Sequence, residues 1–481
     1  MALLVGDVIR RAARATPARL AATLGEEHLR FAELDSRSDQ VAGALAAMGV
    51  GHGDRVAWWG DTSLVVMPIF AGLAKLGAVF APVNGRLSAA EAAEVAGYAR
   101  PRLVVVDDDR PALGERCVTH SELFGAADRL DAALVEAKGL GERDPHVIFF
   151  TSGSTGRPKG VVLSHRVTCL RSFPALAADV GDAGAVCMFP LFHMAGWSMA
   201  MNAWQARAPL HLVTTADAST LLGTVERRRA SRLYLIPAVW ARILEQGVSG
   251  HDLSSLREAD TGTSATPPEL VAAVRDALPH TVTRIFYGST EAGPGAVLAH
   301  HDLARKPGSV GLPQPGVDVR IADDGEVCLR SELLMDGYFE QPDETVAALR
   351  DGWYHTGDLG VLDDEGYLSI VGRARDVIRT GGETVAPSEV EDALADHPGV
   401  AEVAVVGLPD PEWGELVCAV VVLTTEAATG TVDVEALRSH CDGRLARFKQ
   451  PRRVAVVDAL PRTPATGQVQ RTLLVERLSG D

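Results

Sequence analysis

Residues 149–165 have the sequence FFTSGSTGRPKGVVLSH, in which a run of serines, threonines and glycines precedes Lys159. Successive backbone N–H groups and hydroxyls in such a loop suit a polyphosphate. The run is not a Walker A motif, because Gly160 occupies the position where a serine or threonine would bind magnesium. It predicts a phosphate-binding loop whose polar groups come from Thr151, Ser152, Ser154, Thr155 and Lys159.

Polar residues also follow apolar ones in three later stretches, PLFHMAGW (190–197), YGSTEAG (287–293) and WYHTGDLG (353–360). Taken alone, His193 in the first stretch would more often be a hydrogen-bonded core residue than a functional one. An aspartate that follows a glycine, such as Asp358, is usually a turn former. The surrounding motifs, rather than either residue by itself, favour a functional interpretation.

Alternating helix and strand patterns must position these stretches. Residues 31–50 place apolar side chains at helical spacing, whereas residues 146–154 and 284–291 are apolar runs that end in polar residues, as buried strands do. Such alternation predicts α/β layers with ligand loops at the strand ends. The apolar run at residues 64–83 is interrupted by two prolines and a lysine, so it predicts a buried helix followed by a strand.

The pattern changes near the C-terminus. The segment SEVEDALADHPGV predicts a helix with Ser388 as its N-cap and Glu391 three residues later, and the segments VAEVAVVGLPD and ELVCAVVVL alternate as strands do. The expected fold class is α/β, with a large multi-layer N-terminal domain (1–374) and a small C-terminal α+β lid (375–481). The boundary is expected in the charged turn GRARD, and the resemblance described below implies that the lid is mobile and has its hinge at Arg375.

The composition is that of an ordinary globular protein of 481 residues, 47% hydrophobic and 23% charged. A net charge of −17 argues against a surface for nucleic acid or an anionic membrane. The six cysteines form no CxxC pair, as expected of free thiols in a reducing compartment. Together with the lack of an export-signal pattern, these features predict a cytoplasmic protein without a nucleic-acid or membrane partner.

In order and spacing, the stretches described above resemble the motifs of the adenylate-forming superfamily, which includes acyl-CoA synthetases, peptide-synthetase adenylation domains and luciferases. The resemblance covers essentially the whole chain. It implies that a carboxylate attacks the α-phosphate of ATP, giving an acyl-adenylate and pyrophosphate. The small domain then swings, and CoA attacks the activated carbonyl and releases AMP. The implied ligands are CoA as co-substrate, acyl-AMP or AMP, and Mg²⁺, with no tightly bound cofactor.

The resemblance also implies a role for each matching residue. For the nucleotide it implies Tyr287 near adenine, Gly288 and Ser264 in the binding surface, Thr290 at the α-phosphate, Glu291 as magnesium ligand, and Asp358 and Arg373 at the ribose. For the acyl group it implies His193, Trp197, Pro237 and Ala265, and for the pantetheine arm of CoA it implies Gly381 and Gly382, where a missing side chain lets the arm pass close to the backbone. His193, Lys159 and Glu291 are expected among the catalytic residues.

The C-terminal tail departs from the family. There the family has LPR-x-x-TGK, whose lysine bridges the carboxylate and the phosphoryl oxygens during adenylation. This chain has LPRTPATGQ, with one extra residue and with Gln468 in the lysine's place, and no lysine follows Lys449. Arg471 is the nearest cation after it, but a planar guanidinium does not simply replace a point charge. Removing one preorganised donor from a transition state costs ~10²–10³ in rate.

The leading hypothesis is therefore an acyl-CoA ligase that thioesterifies but has lost, or nearly lost, adenylation, like the non-adenylating ligases of natural-product pathways. It would receive its acyl-adenylate from a separate adenylating enzyme. One alternative is a complete ATP-dependent acyl- or aryl-CoA synthetase that uses another cation. A second is a pseudoenzyme that binds nucleotide or acyl ligand. The predicted pocket walls are apolar or small and contain no evident arginine, which favours a bulky apolar monocarboxylic acid.

Overall fold

The structure is a computed structural model that describes residues 2–130, 137–151, 158–173, 183–380, 383–411, 413–425, 432–442, 444–463 and 467–479. Five residues assigned to ligand binding from the sequence lie outside this part, as does the side chain of Arg375: Ser152, Ser154, Thr155, Gly381 and Gly382. Across the described ranges, we find no helix with both the length and the apolar composition to span a membrane.

Helices occur along the whole of the described chain. In chain order they are α1 (Val5–Ala15), α2 (Phe31–Ala47), α3 (Val66–Leu76), α4 (Ala89–Tyr98), α5 (His120–Ala127), α6 (His165–Arg171), α7 (Met194–Gln205), α8 (Ala218–Arg228), α9 (Pro237–Gln246), α10 (Pro268–Ala277), α11 (Pro342–Ala348), α12 (Pro387–Leu394), α13 (Val434–Cys441) and α14 (Arg471–Ser479). Short 3₁₀ turns cover His300–Asp302 and Ala374–Asp376.

Strands alternate with these helices. They are β1 (Leu20–Leu24), β2 (Glu27–Arg30), β3 (Arg55–Trp59), β4 (Val79–Val83), β5 (Leu103–Val106), β6 (Cys117–Thr119), β7 (Pro145–Thr151), β8 (Lys159–Ser164), β9 (Ala185–Cys187), β10 (Leu210–Leu212), β11 (Arg232–Leu235), β12 (Glu258–Gly262), β13 (Ile285–Ser289), β14 (Gly293–Leu298), β15 (Leu312–Pro313), β16 (Val317–Ile321), β17 (Glu326–Ser331), β18 (Gly337–Tyr338), β19 (Leu349–Arg350), β20 (Trp353–Leu362), β21 (Leu368–Arg373), β22 (Ile378–Thr380), β23 (Glu383–Val385), β24 (Val400–Asp410), β25 (Gly414–Leu423) and β26 (Arg453–Val456). The expected α/β class is confirmed.

One sheet has nine strands in the order β15-β14-β13-β12-β11-β9-β10-β1-β2. Its central strands run parallel, with antiparallel pairs toward both ends. Strands β12 and β13 pair through Thr261 with Ile285 and Gly262 with Phe286. Because parallel neighbours end at the same edge of a sheet, the segments that follow β12 and β13 leave this sheet side by side.

A second sheet has seven strands in the order β18-β8-β7-β4-β3-β5-β6. The hairpin of β7 and β8 pairs Thr151 with Lys159, so the predicted phosphate loop connects two antiparallel strands. Every residue of α3 is buried, and β4 follows it directly. The buried helix and strand expected from residues 64–83 are therefore confirmed.

Two further sheets have five strands each. One contains β16, β17, β20 and β19, with β21 paired to β20, and the other contains β23, β22, β25 and β24, with β26 paired to β25. The second of these has its own hydrophobic core, in which Val390, Val405, Val417 and Leu437 are fully buried. This core includes side chains from α12 and α13, which explains how a short C-terminal segment folds as an α+β layer.

The chain divides into two compact units, which we call unit 1 and unit 2. Unit 1 comprises Met1–Pro307, Gln314–Asp318 and Arg330–Tyr354. Unit 2 comprises Gly308–Pro313, Val319–Leu329 and His355–Asp481. The boundary expected at residues 374 and 375 stays a prediction.

The helix expected at Ser388 exists, but its predicted N-cap is wrong. Helix α12 begins at Pro387, its N-cap is Ala386, and no side chain caps it. Ser388 lies inside the helix and donates its hydroxyl to the carbonyl of Val371. Glu391 does not close a capping box but accepts a hydrogen bond from the N–H of Val405 at 2.7 Å. Proline at the first helical position supplies the helix start instead, because it needs no N–H partner there.

Candidate functional site

The phosphate-loop lysine is held at the start of β8. Its ammonium group contacts the Glu344 carboxylate on α11 and lies 5.0 Å from the ring centroid of Tyr338. The Tyr338 hydroxyl in turn donates to Glu291 Oε1 at 3.3 Å. Two predicted site residues, Lys159 and Glu291, are therefore connected through a tyrosine and flanked by a carboxylate. Thr151 donates its hydroxyl to the carbonyl of Lys159 at 3.4 Å.

Glu291 fits the role of a magnesium ligand. Carboxylate oxygens are the donors that Mg²⁺ prefers, and it usually takes one or two of them together with substrate phosphates. Burial and the neighbouring Glu291 carboxylate raise the pKa of Tyr338, so its O–H remains a donor to Oε1 at neutral pH. A magnesium ion held by Glu291 would supply charge neutralisation at the phosphate.

The segment after β12 turns sharply at Gly262. A Cβ on this residue would lie 2.3 Å from the carbonyl oxygen of Phe286, so only glycine fits between the two strands. Thr263 follows with a φ of +71°, a left-handed conformation that is strained for a β-branched residue. Ser264 comes next, and its carbonyl accepts a hydrogen bond from the Thr266 hydroxyl at 3.2 Å. Ala265 is exposed in the same turn.

The segment around β13 and the turn after it carries Tyr287, Gly288, Thr290 and Glu291. Tyr287 and Thr290 are half-buried, whereas Gly288 is exposed. A Cβ at Gly288 would lie 2.2 Å from the carbonyl oxygen of Gly293, so this position also requires glycine. The structure therefore brings the predicted adenine-side residues to neighbouring strand ends, while their contacts with a nucleotide stay predictions.

His193 occupies the N-cap position of α7. Its Nδ1 atom is buried and has no hydrogen-bond partner among the residues that the structure describes. Burial lowers the pKa of His193, so the imidazole is neutral at neutral pH. An uncharged, unpartnered ring nitrogen suits a side chain that borders a ligand, and this role stays a prediction.

Trp197, predicted for the acyl pocket, is packed within unit 1. Its ring stacks on Phe70 with the centroids 3.9 Å apart and the planes 10° apart, and its indole N–H donates to the carbonyl of Leu191 at 2.6 Å. Pro237 is also buried, as the first residue of α9. Trp197 thus anchors α7 to Phe70 and to the Leu191 carbonyl, and the contacts of Trp197 and Pro237 with an acyl group stay predictions.

In unit 2, the two residues predicted at the ribose lie together. Asp358 and Arg373 face each other across β20 and β21, and Asp358 Oδ1 lies 2.6 Å from Arg373 Nε. Asp358 is 6% exposed, so its carboxylate is largely fixed before any ligand arrives. Its N–H donates to the Thr356 hydroxyl at 3.0 Å, which further restrains the backbone.

A carboxylate that sequence reasoning missed holds the segment before Asp358. Glu326 accepts the N–H of Gly357 at 2.8 Å with one oxygen and the Nδ1 of His355 at 2.6 Å with the other. Cys328 completes a cluster whose donor atoms lie within 4.8 Å of one another. These are metal-ligand types, but both carboxylate oxygens already accept hydrogen bonds. The cluster therefore orients the backbone that presents Asp358.

Gln468 closes a short hairpin near the C-terminus. The N–H of Thr463 donates to the carbonyl of Gln468 at 2.8 Å, and the N–H of Gly467 donates to the carbonyl of Thr463 at 2.9 Å. Gly467 has a φ of +69°, which favours glycine. Arg462 donates to the carbonyl of Gly467 at 3.0 Å and pairs with Glu402. Gln468 itself is exposed and donates its N–H to the Thr463 hydroxyl at 3.1 Å.

Two cations that lie near this hairpin in sequence, one on either side, are engaged by carboxylates. Arg471 makes two hydrogen bonds to Glu391, at 2.6 and 2.8 Å, and lies 3.5 Å from Asp376. Lys449 lies 2.5 Å from Glu389. Sequence reasoning identified Arg471 as the nearest cation but could not see its partners, because Glu391 lies 80 residues earlier in the chain.

The phosphate-loop hairpin and Glu291 in unit 1, and the Asp358–Arg373 pair in unit 2, are features expected of an enzyme that handles an adenylate. Comparison with known proteins specifies the family. The model for "AMP-binding enzyme" matches residues 9–339, and the model for "AMP-binding enzyme C-terminal domain" matches residues 389–466. The chain belongs to this family, the adenylate-forming superfamily, and its relatives place it among the acyl-CoA ligases.

Two curated relatives and one solved structure illustrate the similarity. The long-chain-fatty-acid–CoA ligase FadD13 of Mycobacterium tuberculosis is 33% identical, over 99% of this chain and 98% of its own length. Feruloyl-CoA synthase from Amycolatopsis sp is 34% identical, over 96% of this chain and 97% of its own. ATP-bound MatB from Rhodopseudomonas palustris superposes with a TM-score of 0.89 at 28% identity, covering 100% and 99%. The expected large N-terminal and small C-terminal domains match such structures.

Proposed function

We propose that this acyl-CoA ligase transfers an acyl group from an acyl-adenylate to CoA and has lost most or all of the ATP-dependent adenylation step. The observation that carries the proposal is Gln468, which follows Gly467 at the close of the hairpin where the family has its bridging lysine. A neutral amide keeps one donor but loses the full charge. Charge-assisted hydrogen bonds are roughly twice as strong as neutral ones.

Two cations near Gln468 support this proposal, because each of them would have to leave a carboxylate in order to compensate. Arg471 is held by Glu391 through two hydrogen bonds. Arg462 bridges the hairpin backbone to Glu402. Moving the Arg471 guanidinium to a phosphate would leave the partly buried Glu391 carboxylate unpaired, which costs free energy.

Thioesterification needs none of these cations at the acyl carbon. The sulfur of the CoA thiolate attacks the acyl carbonyl carbon, the bond from that carbon to the phosphate oxygen breaks, and AMP leaves with the electron pair. In this step Asp358 and Arg373 would hold the ribose, and Thr290 would bind the α-phosphate. Glu291 fits a magnesium ion that offsets the phosphate charge.

The supply of acyl-adenylate would then come from a separate adenylating enzyme, which is the partner we propose. For the acyl group we propose a bulky apolar monocarboxylic acid. Residues 193–201, HMAGWSMAM, form the first turns of α7 and are almost entirely apolar or small. A bulky apolar acyl group would bury apolar area against such a surface, which is favourable.

The test supplies the purified chain with two sets of substrates. One reaction contains free acids, ATP, Mg²⁺ and CoA, and the other contains the matching synthetic acyl-adenylates and CoA, with the thioester followed by mass. We expect product from the adenylates at a rate at least ~10² times that from the acids. Equal rates from both would instead establish a complete synthetase, whereas no thioester from either would indicate a binding protein.

A complete ATP-dependent synthetase is the second candidate. The similarity of the chain to FadD13 and feruloyl-CoA synthase along nearly their whole lengths favours it. Pyrophosphate release from ATP and a free acid at an ordinary turnover rate would establish this alternative and would require a cation other than residue 468.

A further inference from the structure

A half-buried arginine contacts the turn that carries Thr290 and Glu291. Arg171, the last residue of α6, donates from Nη1 to the carbonyl of Thr290, from Nη2 to that of Glu291, and from Nε to that of Leu333, each at 2.7 Å. Buried guanidinium groups usually face a carboxylate. Here three hydrogen bonds go to backbone carbonyls, two of which belong to adjacent residues of the adenylate motif, and a fourth goes from Nη1 to the Met194 sulfur at 3.3 Å.

The motif is shaped to accept this side chain. Gly293 has a φ of +71°, and a Cβ on it would lie 2.6 Å from Arg171 Nε. The N–H of Met335 adds a second hydrogen bond to the carbonyl of Glu291, at 2.8 Å. The turn is therefore held by the Arg171 side chain and by the backbone of Met335. Its last residue, Gly293, must lack a side chain so that Arg171 can reach the turn.

The environment makes these hydrogen bonds strong. The cavity beside Arg171 is lined mainly by apolar side chains, including Phe70, Phe149, Met194 and Trp197. Hydrogen bonds gain strength where the local dielectric is low. Burial lowers the pKa of Arg171 to about 10, which still leaves the guanidinium charged at neutral pH.

We propose that Arg171 is a positioning residue for the adenylate site, because its three donors fix the turn from which Thr290 and Glu291 present their side chains to the α-phosphate and to magnesium. The inference rests on the proposed function for the identity of the nucleotide. It does not depend on whether the chain adenylates, since AMP is released in either version of the reaction.

The test compares two arginines that make the same kind of contact in different places. Arg55, at the start of β3, also donates to three backbone carbonyls, those of Gly53, Ala99 and Arg100, at 2.8–3.1 Å. Both Arg171→Met and Arg55→Met keep an unbranched side chain that can pack as the aliphatic part of arginine does, and both remove the guanidinium donors. For each variant we would measure thermal unfolding, the dissociation constant for AMP with Mg²⁺, and thioester formation from acyl-adenylate.

We expect both variants to melt at a lower temperature, and only Arg171→Met to bind AMP about tenfold or more weakly, since it loses charge-assisted hydrogen bonds to the turn that binds the phosphate. Its KM for acyl-adenylate should rise in parallel. Arg171→Lys, which keeps the charge and some donors, should restore part of the affinity. Unchanged AMP affinity in folded Arg171→Met would overturn the inference and give Arg171 a purely structural role.

Failure of the inference and failure of the proposed function give different results. If the unaltered chain binds AMP but makes no thioester from acyl-adenylate, the proposed function is wrong and the comparison of the two variants still decides the role of Arg171. If the chain makes thioester and Arg171→Met matches Arg55→Met in AMP affinity, only the positioning role is wrong.

Discussion

Two short glycine-containing connections carry the chemistry proposed for this chain, and they are stabilised in opposite ways. The turn at residues 289–293 is fixed by the half-buried Arg171, which donates to its backbone, and Gly293 cannot carry a side chain there. The described residues of the C-terminal hairpin, 461–463 and 467–470, are exposed or half-buried and are held by contacts among themselves, including the hydrogen bond from Arg462 to the carbonyl of Gly467. In the turn, a change in backbone shape would also move the side chains proposed to bind the ligand. In the hairpin, the backbone shape depends on Gly467, whereas the proposed chemistry depends on the charge at position 468.

The separation follows from the contacts at position 468. Its N–H and its carbonyl oxygen pair with Thr463, and any residue other than proline supplies these groups. The conformation that needs a particular residue is that of Gly467. A change of charge at position 468 can therefore alter catalysis while the hairpin keeps its shape.

Of the changes that test this difference between the turn and the hairpin, Gln468→Lys should have the largest effect, a gain of adenylation. Restoring the positive charge should raise ATP-dependent thioester formation by ~10²–10³, the inverse of the loss of one preorganised donor. Thioester formation from synthetic acyl-adenylate should change little. Pyrophosphate release and thioester mass, measured side by side, check both expectations.

Gln470→Lys is the matched control, because Gln470 is exposed and its N–H donates to the Pro461 carbonyl at 2.8 Å in the same hairpin. It adds the same charge two residues away and should leave adenylation low. If both lysine variants or neither gained activity, charge at position 468 would not be what limits the first step.

The same substitution in the two connections should next have unequal effects on thioesterification. Gly293→Ala places an alanine in a left-handed conformation and also adds a Cβ that would clash with Arg171, so we expect about a tenfold or larger loss of kcat/KM from acyl-adenylate. Gly467→Ala also places an alanine in a left-handed conformation, at a cost of about 1–2 kcal/mol, and should leave that rate near its original value.

Thermal unfolding and steady-state kinetics on both alanine variants make this comparison. Equal kinetic losses would contradict the idea that the turn couples shape to chemistry and the hairpin does not. A fall in melting temperature alone is expected for Gly467→Ala.

The smallest expected effect is a loss of stability of unit 1 at acidic pH, because unit 1 contains buried histidines. Burial lowers the pKa of His165 and of His211 from 6.5 to about 4, and that of His146 well below its usual value. The unfolded chain therefore binds protons that the folded unit does not, and stability falls as pH drops from about 6.5 toward 4. For His165 the shift corresponds to about 3 kcal/mol.

Replacing His146 by Phe should reduce this acid sensitivity, since both ring nitrogens of His146 are buried without partners among the described residues. The same change at exposed His28 should not. Tryptophan fluorescence reports mainly on unit 1, which holds six of the seven tryptophans, with only Trp413 in unit 2. A similar acid midpoint for both variants would show that His146 does not contribute.

Much of the fold followed from local pattern. The helix at residues 31–47, the buried helix of residues 66–76 and the strand that leads into the phosphate loop have apolar patterns of their own. Ser388 was misjudged because a serine followed by glutamate three residues later has the pattern of a capping box, whereas Pro387 starts the helix and Ser388 bonds to Val371.

The parts of the site that could not be predicted depend on long-range pairing. Glu326 and Gly357 lie 31 residues apart, and Arg171 and Glu291 lie 120 residues apart. No local period signals either contact. An arginine within the otherwise largely apolar segment VTCLR was the available hint for Arg171, since a charge on a buried helix must find polar partners somewhere in the fold.

The independence of the hairpin from its charge has an evolutionary consequence. Glutamine and lysine codons differ by a single base, so a lineage could move between self-sufficient and partner-dependent acyl transfer through a point mutation that leaves folding intact. Such a switch would be selectively accessible in both directions, and dependence on a supplying enzyme would be retained only while delivery of the finished adenylate is advantageous.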